Sequence, residues 1–301
     1  MFDLQKIAYR VIKILFKLIG LIPRKLAFRL GNLMGQILFL ADRKHRKIAL
    51  NNLTYAFGHE KNPYEIKILA RRVFKNLGQI IFEIGWSLRL ESKDFQKYFT
   101  IQGLSNYTSA YEKGRGVLLL TAHMGNWELL SIIMTMAGYP VSVLYRPLDF
   151  FLLDRLFAMI RGRFGAELIP SAQSMRKILR SLKYGKVVGM LIDQNVDWYE
   201  GVFVDFFSHR ACTNKGIALL ARRTESPVVP VFLVREKSGF RAEFGSEIPL
   251  IKTEDIRKDV EENTQQYNRI IEDFIRQYPD QWFWVHQRWK TKPYCQWPRK
   301  I

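Results

Sequence analysis

The central part of the chain alternates short apolar runs with amphipathic segments, and this alternation limits the chain to few folds. Apolar runs that suit β-strands occupy residues 117–122, 141–145, 168–169, 187–192 and 228–234. Segments with helical spacing separate them, at residues 126–137, 150–163, 172–183 and 213–223. Strands that alternate with helices form right-handed βαβ units around a parallel sheet. We therefore predict an α/β fold with a mostly parallel central sheet flanked by helices, an antiparallel edge strand at 240–244 and a long helix at 254–277.

The N-terminal part of the chain is strongly basic. Residues 1–50 contain eleven Lys or Arg and two Asp, which gives +9 of the formal net charge of +19. Over residues 4–22 the basic side chains fall on one helical face and apolar side chains on the other, which indicates a basic amphipathic helix. Basic residues interrupt this segment before it reaches the length of a membrane span, and no signal-peptide cleavage site follows.

We accordingly predict two regions, a helical membrane-attachment region over residues 1–50 and a globular domain over 51–301. The basic region fits an anionic membrane surface, with peripheral or N-terminally anchored attachment. The alternative is an ordinary solvated face of a core helix. Cys212 and Cys295 lie far apart and outside any Cys/His cluster, which indicates ordinary thiols, no metal site and a cytosol-facing protein.

A histidine and a glutamate follow the first apolar run of the predicted sheet. His123 comes at the end of that run, and Glu128 lies in the helix that opens after Asn126. Ligands of open α/β sheets bind at the carboxyl ends of the strands. An imidazole accepts a proton near neutral pH, and a carboxylate on its other nitrogen would stabilise the charged form. The spacing alone fits a catalytic pair and a structural histidine equally well.

Polar residues also follow two other predicted strands. Arg146 ends the second strand, and the helix after it carries Arg161 and Arg163, a cluster that suits phosphate or carboxylate groups. Asp193 and Gln194 end the strand at 187–192. Further along, Thr213 is a candidate N-cap, and Phe203, Phe206 and Phe207 fit either an apolar pocket or plain core. The segment 282–291 mixes aromatic and basic residues, including Arg288, as expected of a nucleic-acid surface, a lipid interface or a cap over an active site.

Taken together, these segments resemble the late acyltransferases of lipid A biosynthesis, the lauroyl and myristoyl transferases. The matching motifs run in order along nearly the whole chain: TAHMGNWE at 121–128, YRP at 145–147, IRGRFG at 160–165, DQ at 193–194, VDFF at 204–207, ACTNKGIALLARRTESPVVPVF at 211–232 and PDQWFWVHQRWKTKP at 279–293. Two features depart from the pattern. The N-terminal segment is less apolar than is common in the family, and Ser208 stands where glycine is common.

The resemblance implies a glycerol-phosphate-acyltransferase-like core and an O-acyltransferase without cofactor or metal. The donor would be a fatty acyl thioester on acyl carrier protein. The acceptor would be a hydroxyacyl chain of a phosphorylated lipid A precursor, at the cytoplasmic face of the inner membrane. By position, His123 is implied to be the general base and Glu128 its partner. We predict substrate contacts for the polar residues of the shared motifs, namely Arg146, Arg161, Arg163, Asp193, Gln194, Thr213 and Arg288.

Two other functions remain open at this stage. The same chemistry would serve a lysophospholipid or another glycolipid as acceptor, with a different acceptor pocket. A basic protein that binds nucleic acid or membrane would explain the charge and the aromatic C-terminal segment. It would not explain why a histidine, an arginine and an aspartate each end a different predicted strand, so we expect no nucleic-acid partner.

Overall fold

Five helices precede the first strand in the computed structural model, which describes residues 2–171 and 174–293. Cys295 lies outside the described residues. Pro23 separates the first two helices and fits the start of the second, since proline has no N–H to donate. Asn62 and Glu65 form a capping box at the start of the fourth helix, and Pro63 is its first residue. The helices are α1 (Phe2–Leu21), α2 (Arg24–Ala41), α3 (Arg43–Phe57), α4 (Pro63–Ser87) and the short α5 (Phe95–Tyr98).

A seven-stranded sheet forms the centre of the molecule. Its strands are β1 (Phe99–Gln102), β2 (Val117–Thr121), β3 (Ser142–Tyr145), β4 (Glu167–Pro170), β5 (Val187–Leu191), β8 (Val228–Arg235) and β9 (Phe240–Phe244). They lie in the order β1-β9-β8-β2-β5-β3-β4, and every neighbouring pair is parallel except β8 and β9. The predicted α/β fold with a mostly parallel sheet is therefore confirmed.

Helices cover both faces of this sheet, as its continuous apolar strands require. These helices are α6 (Leu104–Tyr111), α7 (Leu130–Met136), α8 (Phe151–Arg161), α9 (Met175–Lys183), α10 (Gly216–Thr224) and α11 (Ile256–Gln277). Side chains of α6, α7 and α8 pack in one apolar core, which α1 joins through Tyr9, Ile12 and Phe16. Side chains of α9, α10 and α11 pack in a second core on the other face. Thus α1 and α9 lie against opposite faces of the sheet.

Three details differ from the sequence-based expectations. Strand β9 is antiparallel to β8 as predicted, but it is not at the edge, because β1 pairs with its other side. The segment after Asp193 forms a hairpin, β6 (Gly201–Phe206) and β7 (His209–Asn214), which we did not predict. Thr213 belongs to β7 and is not an N-cap, since α10 begins after Lys215.

The first two helices pack closely on α4 through glycines. A Cβ on Gly78 of α4 would lie 2.2 Å from the carbonyl oxygen of Gly31 in α2, and one on Gly20 of α1 would lie 2.3 Å from that of Gly85. Large apolar side chains of α1 and α2 remain exposed, including Ile7, Val11, Ile14, Leu15, Leu18, Phe28, Leu33, Ile37 and Leu40. Among the described helices, none is long and apolar enough to cross a membrane.

Candidate active site

His123 lies at the carboxyl edge of the sheet, beside an aspartate from the neighbouring strand. Thr121 of β2 pairs with Leu191 of β5, and His123 and Asp193 each follow their strand by two residues. The equal offset places the two side chains next to each other. Asp193 accepts hydrogen bonds from the backbone N–H of His123 at 2.9 Å and from its ring Nδ1 at 2.8 Å.

The environment of Asp193 keeps its carboxylate ionised. Its side chain is fully buried, and although burial alone would raise the pKa, the charge and hydrogen bonds of His123 lower the pKa well below its usual range. The indole Nε1 of Trp282 donates a further hydrogen bond to Asp193 at 2.7 Å. An ionised carboxylate only accepts hydrogen bonds, so the proton between the two side chains belongs to Nδ1 of His123. The other ring nitrogen, Nε2, is left as the proton acceptor.

Contrary to the prediction, Glu128 forms no hydrogen bond or ion pair with His123 among the described residues. It lies in a short 3-10 helix (Trp127–Leu129), where its two carboxylate oxygens receive hydrogen bonds from Nε and Nη2 of Arg161 at 2.6 and 2.8 Å. The indole of Trp127 donates a third at 3.1 Å. The predicted His123–Glu128 pairing was therefore wrong. His123 is hydrogen-bonded to the aspartate that follows the adjacent strand, whereas Glu128 pairs with Arg161, the last residue of α8.

A cavity of about 800 Å³ adjoins these residues. His123, Trp127, Glu128 and Arg161 all line it. One part, which we call the apolar arm, extends along the sheet beneath α7 and is lined by Leu119, Leu130, Met134, Val141, Val143, Gly189 and Leu191. The other part, the polar mouth, is lined by Arg146, Asp149, Ser171, Gln194, Asn195, Asp197, Glu200 and Lys290.

Two of the polar groups in this cavity are buried without a protein partner. Among the described residues, no hydrogen-bond partner faces Oγ1 of Thr121 or Nη1 of Arg161. Buried polar atoms in native proteins are nearly always satisfied by protein, water or ligand. Thr121 and Arg161 both line the cavity that His123 also lines, so the two residues are candidates for contact with a polar group of a bound molecule.

The structure brings some of the other predicted residues to the cavity and leaves others outside it. Arg146 and Gln194 line the polar mouth. Arg163 is exposed and donates to the carbonyl oxygen of Ser87. Thr213 and Arg288 are fully buried and bonded to each other, with Nη2 of Arg288 2.5 Å from the Thr213 hydroxyl. For these last three residues, the structure gives contacts within the protein in place of the predicted contacts with substrate.

The aromatic C-terminal segment covers the site. The backbone N–H of Phe283 donates to the carbonyl oxygen of His123 at 3.1 Å, and that of Gly125 donates to Gln281 at 2.9 Å. The ring of Phe283 also packs against Trp127. Arg288 fastens the end of this segment to β7 through the Cys212 carbonyl oxygen. Of the three interpretations of this segment, the contacts agree with the active-site cap.

Comparison with known proteins identifies the family. The family model for bacterial lipid A biosynthesis acyltransferases matches residues 4–291. The chain belongs to this family. It is therefore an acyltransferase, as the resemblance implied.

Individual relatives are similar in sequence to this chain over most of their length. A lipid A biosynthesis acyltransferase of Haemophilus influenzae is 26% identical over 276 residues, which cover 91% of this chain and 85% of the relative. The lipid A biosynthesis palmitoleoyltransferase of Escherichia coli is 27% identical, with 88% of this chain and 85% of the relative covered. The lauroyltransferase of that organism is 26% identical, with 90% and 88% covered.

One solved structure is similar to this chain, with lower sequence identity than these relatives. The 1-acyl-sn-glycerophosphate acyltransferase of Thermotoga maritima aligns with a TM-score of 0.38 and 11% identity, over 86% of this chain and 99% of its own. The assignment to the lipid A acyltransferase family rests on the sequence match.

Proposed function

We propose that this protein transfers a fatty acyl chain from an acyl thioester to a hydroxyl group of a lipid A precursor, with His123 as the general base. The observation that carries the proposal is the bond between His123 Nδ1 and the buried, ionised Asp193. This bond fixes the ring and its tautomer, and it stabilises the imidazolium that forms when Nε2 takes a proton.

The reaction balances without a covalent enzyme intermediate. Nε2 of His123 removes the proton of the acceptor hydroxyl, whose oxygen attacks the thioester carbonyl carbon. The new C–O bond forms, the C–S bond breaks, and the departing sulfur takes the proton from His123. Arg161 and Thr121 line the cavity, and Nη1 of Arg161 and the Thr121 hydroxyl have no hydrogen-bond partner among the described residues. We assign these two groups to the negative charge that develops on the carbonyl oxygen.

The pair of Arg161 and Glu128 is a positioning device in this scheme. The guanidinium uses two nitrogens for Glu128, which holds its plane and leaves Nη1 for the substrate. Its positive charge survives burial because the carboxylate raises the pKa of Arg161 against the effect of desolvation. Glu128 thus acts through Arg161 and not through His123.

The acceptor side of the proposal rests on the surface around the cavity. Helix α8 begins beside the polar mouth, where Leu148, Phe150 and Phe151 are exposed. The same helix contacts α1, whose Tyr9 lies against Met159 and Arg155. Exposed apolar and basic side chains of α1 suit an anionic lipid surface. We therefore propose that residues 1–50 attach the protein to the cytoplasmic face of the inner membrane, with the cavity next to the lipid acceptor.

The donor side rests on charge. We propose an acyl carrier protein as donor, since such an acidic partner complements the net charge of +19. Helix α9 presents four exposed basic residues, Arg176, Lys177, Arg180 and Lys183. It follows β4, and Ser171 after that strand lines the polar mouth. Because α1 lies against the opposite face of the sheet, these cations are available to a partner other than the membrane.

The test is acyl transfer by the purified full chain in detergent. Acyl carrier protein and coenzyme A thioesters would be offered with a tetra-acylated lipid A precursor and with a lysophospholipid. We expect product on the lipid A precursor and a loss of about a thousandfold in His123→Ala. Product on the lysophospholipid alone would support the proposed acyl transfer but contradict the lipid A precursor as its acceptor. No product on either acceptor, from folded protein, would reject the proposed function.

A further inference from the structure

The apolar arm contains a glycine in the middle of a central strand. Gly189 is the third residue of β5 and pairs with Leu119 of β2 on one side and with Val143 of β3 on the other. All three residues line the cavity. A glycine inside a strand weakens it, and such glycines often mark the close approach of a ligand.

Neither backbone conformation nor crowding explains this glycine. Gly189 is absent from the glycines of positive φ in the described chain, so its backbone suits any residue. A Cβ at this position would meet only the Ser142 carbonyl oxygen and Val141 Cγ2, both at 3.9 Å, which is ordinary contact. Most other glycines in the described chain differ: those discussed above in α1, α2 and α4 would clash with backbone. The missing side chain at Gly189 therefore adds volume to the cavity and does nothing else that the geometry shows.

The cavity ends close to this position. The next residues towards the strand starts on the same face are Val117 and Val187, which pair with each other and are 0% and 1% exposed. In this row only Val141, which lies level with Val187, still lines the cavity, so the cavity ends between Leu119, Gly189 and Val141. From His123 to Leu119 the chain advances four residues, or roughly 13 Å along an extended strand. Such a depth accommodates a straight hydrocarbon chain whose carbonyl carbon lies near His123.

We infer that Gly189 sets the length of the acyl chain that the enzyme accepts from its donor, by leaving room for the terminal methyl group at the end of the apolar arm. This inference rests on the proposed function for its identification of the occupant. The donor chain is the better occupant than the acceptor chain. The donor's acyl chain arrives on a water-soluble carrier and must be buried completely, whereas the acyl chains of the acceptor remain in the membrane.

The experiment compares chain-length profiles for binding and for transfer. Binding would be measured by titration calorimetry with non-hydrolysable acyl thioether analogues of pantetheine, from octanoyl to palmitoyl. Transfer would be measured with the matching thioesters. In Gly189→Val we expect the preferred chain to become shorter, with kcat/KM for the longest good substrate of the wild type reduced at least tenfold and shorter chains retained. Leu119→Ala should move the preference to longer chains.

Two further variants control for effects on folding. Val188→Ile adds volume on the opposite face of the same strand and should leave the profile unchanged, because Val188 packs in the other core. If Gly189→Val does not fold, Gly189→Ala and Leu119→Ala replace it in the test. The first should shift the chain-length preference to shorter chains and the second to longer chains. An unchanged profile, or an equal loss for all chain lengths, would overturn the inference. Length-dependent binding without any transfer would instead reject the proposed function and leave the role of Gly189 intact.

Discussion

At the scale of single residues, two carboxylates near His123 have different partners and therefore different expected phenotypes. Asp193→Asn removes the acceptor that fixes the tautomer of His123. We expect kcat to fall about a thousandfold or more while the protein stays folded. Glu128→Gln leaves that bond intact but removes the charge opposite Arg161. It should lower the free energy of unfolding by about 3–5 kcal/mol, because a buried cation loses its partner.

A double variant separates these two effects. Glu128→Gln with Arg161→Gln removes both charges, so the unfolding free energy should recover much of the loss, whereas transfer should not recover. Unfolding in urea and initial rates on the same preparations measure both quantities. If Glu128→Gln were as stable as the wild type and Asp193→Asn fully active, the assignment of the two carboxylates would be wrong.

His286 is expected to make stability depend on pH. Burial, opposed by Asp193 and reinforced by Arg288 and His123, lowers the pKa of His286 from 6.5 to about 4. In the unfolded chain the imidazole binds a proton below its ordinary pKa, whereas the folded state resists protonation until the lower value. The contribution of His286 is therefore complete above pH 6.5 and is lost as the pH falls towards 4.

The size of this effect is measurable. A shift of this size corresponds to about 3 kcal/mol for a fully buried group, and because the residue is half-buried we expect about 2 kcal/mol. We expect urea unfolding of the wild type to show this loss between neutral pH and pH 4.5, and His286→Gln to show a smaller slope over the same range. Equal slopes in the two proteins would contradict the prediction.

At the scale of elements, the glycine contacts between α2 and α4 hold the N-terminal helices on the rest of the molecule. Gly78→Ala would place a methyl group against the backbone of Gly31 and Gly35. Overpacking of this kind costs about 1–3 kcal/mol, and here it would separate the two helices. We expect a lower Tm and faster proteolysis between α1 and α3. Gln36→Ala on the exposed side of α2 is the matched control and should change neither.

Elements were predictable from the sequence where their signal is local. Continuous apolar runs identified β2, β3, β5 and β8, and the helices between them followed from spacing. The hairpin of β6 and β7 was missed because its turn, Phe207–Ser208, has positive φ at both residues without the glycine that normally marks such turns. The four-residue β1 was not predicted, because so short a strand has no clear pattern of its own and is defined by pairing with the distant β9.

The site shows the same limit. The sequence indicated that His123 and Asp193 each end a strand, but it did not show that β2 and β5 are neighbours. Without the strand order, we chose Glu128 as the partner because it lies only five residues from His123 in the sequence. The burial of Thr213 and Arg288 was equally hidden, because their motif resemblance does not distinguish contact with substrate from support of the cap. Strand order is a property of the whole sheet, so these assignments needed the structure.

At the scale of the whole molecule, the two faces of the sheet carry different surfaces. The α1 face bears exposed apolar and basic side chains, and the α9 face bears a basic helix near the polar mouth. If α9 binds the acidic donor, Arg176→Glu with Arg180→Glu should raise KM for the acyl carrier protein thioester about tenfold at low salt. KM for a pantetheine thioester, which lacks the acidic protein, should not change.

A control of equal charge tests whether position matters. Lys237→Glu with Arg257→Glu makes the same change in net charge at exposed residues away from the cavity lining. It should alter KM for the carrier-protein substrate much less than the α9 variant does. Added salt should reduce the difference in KM between the wild type and the α9 variant, because exposed charges are screened over about 10 Å at 0.1 M ionic strength.

If both double variants raise KM for the carrier-protein substrate equally, only the net charge attracts the donor and α9 is not its docking surface. If the α9 variant instead releases the protein from anionic vesicles, the helix faces the membrane and the arrangement of the two surfaces proposed here is wrong.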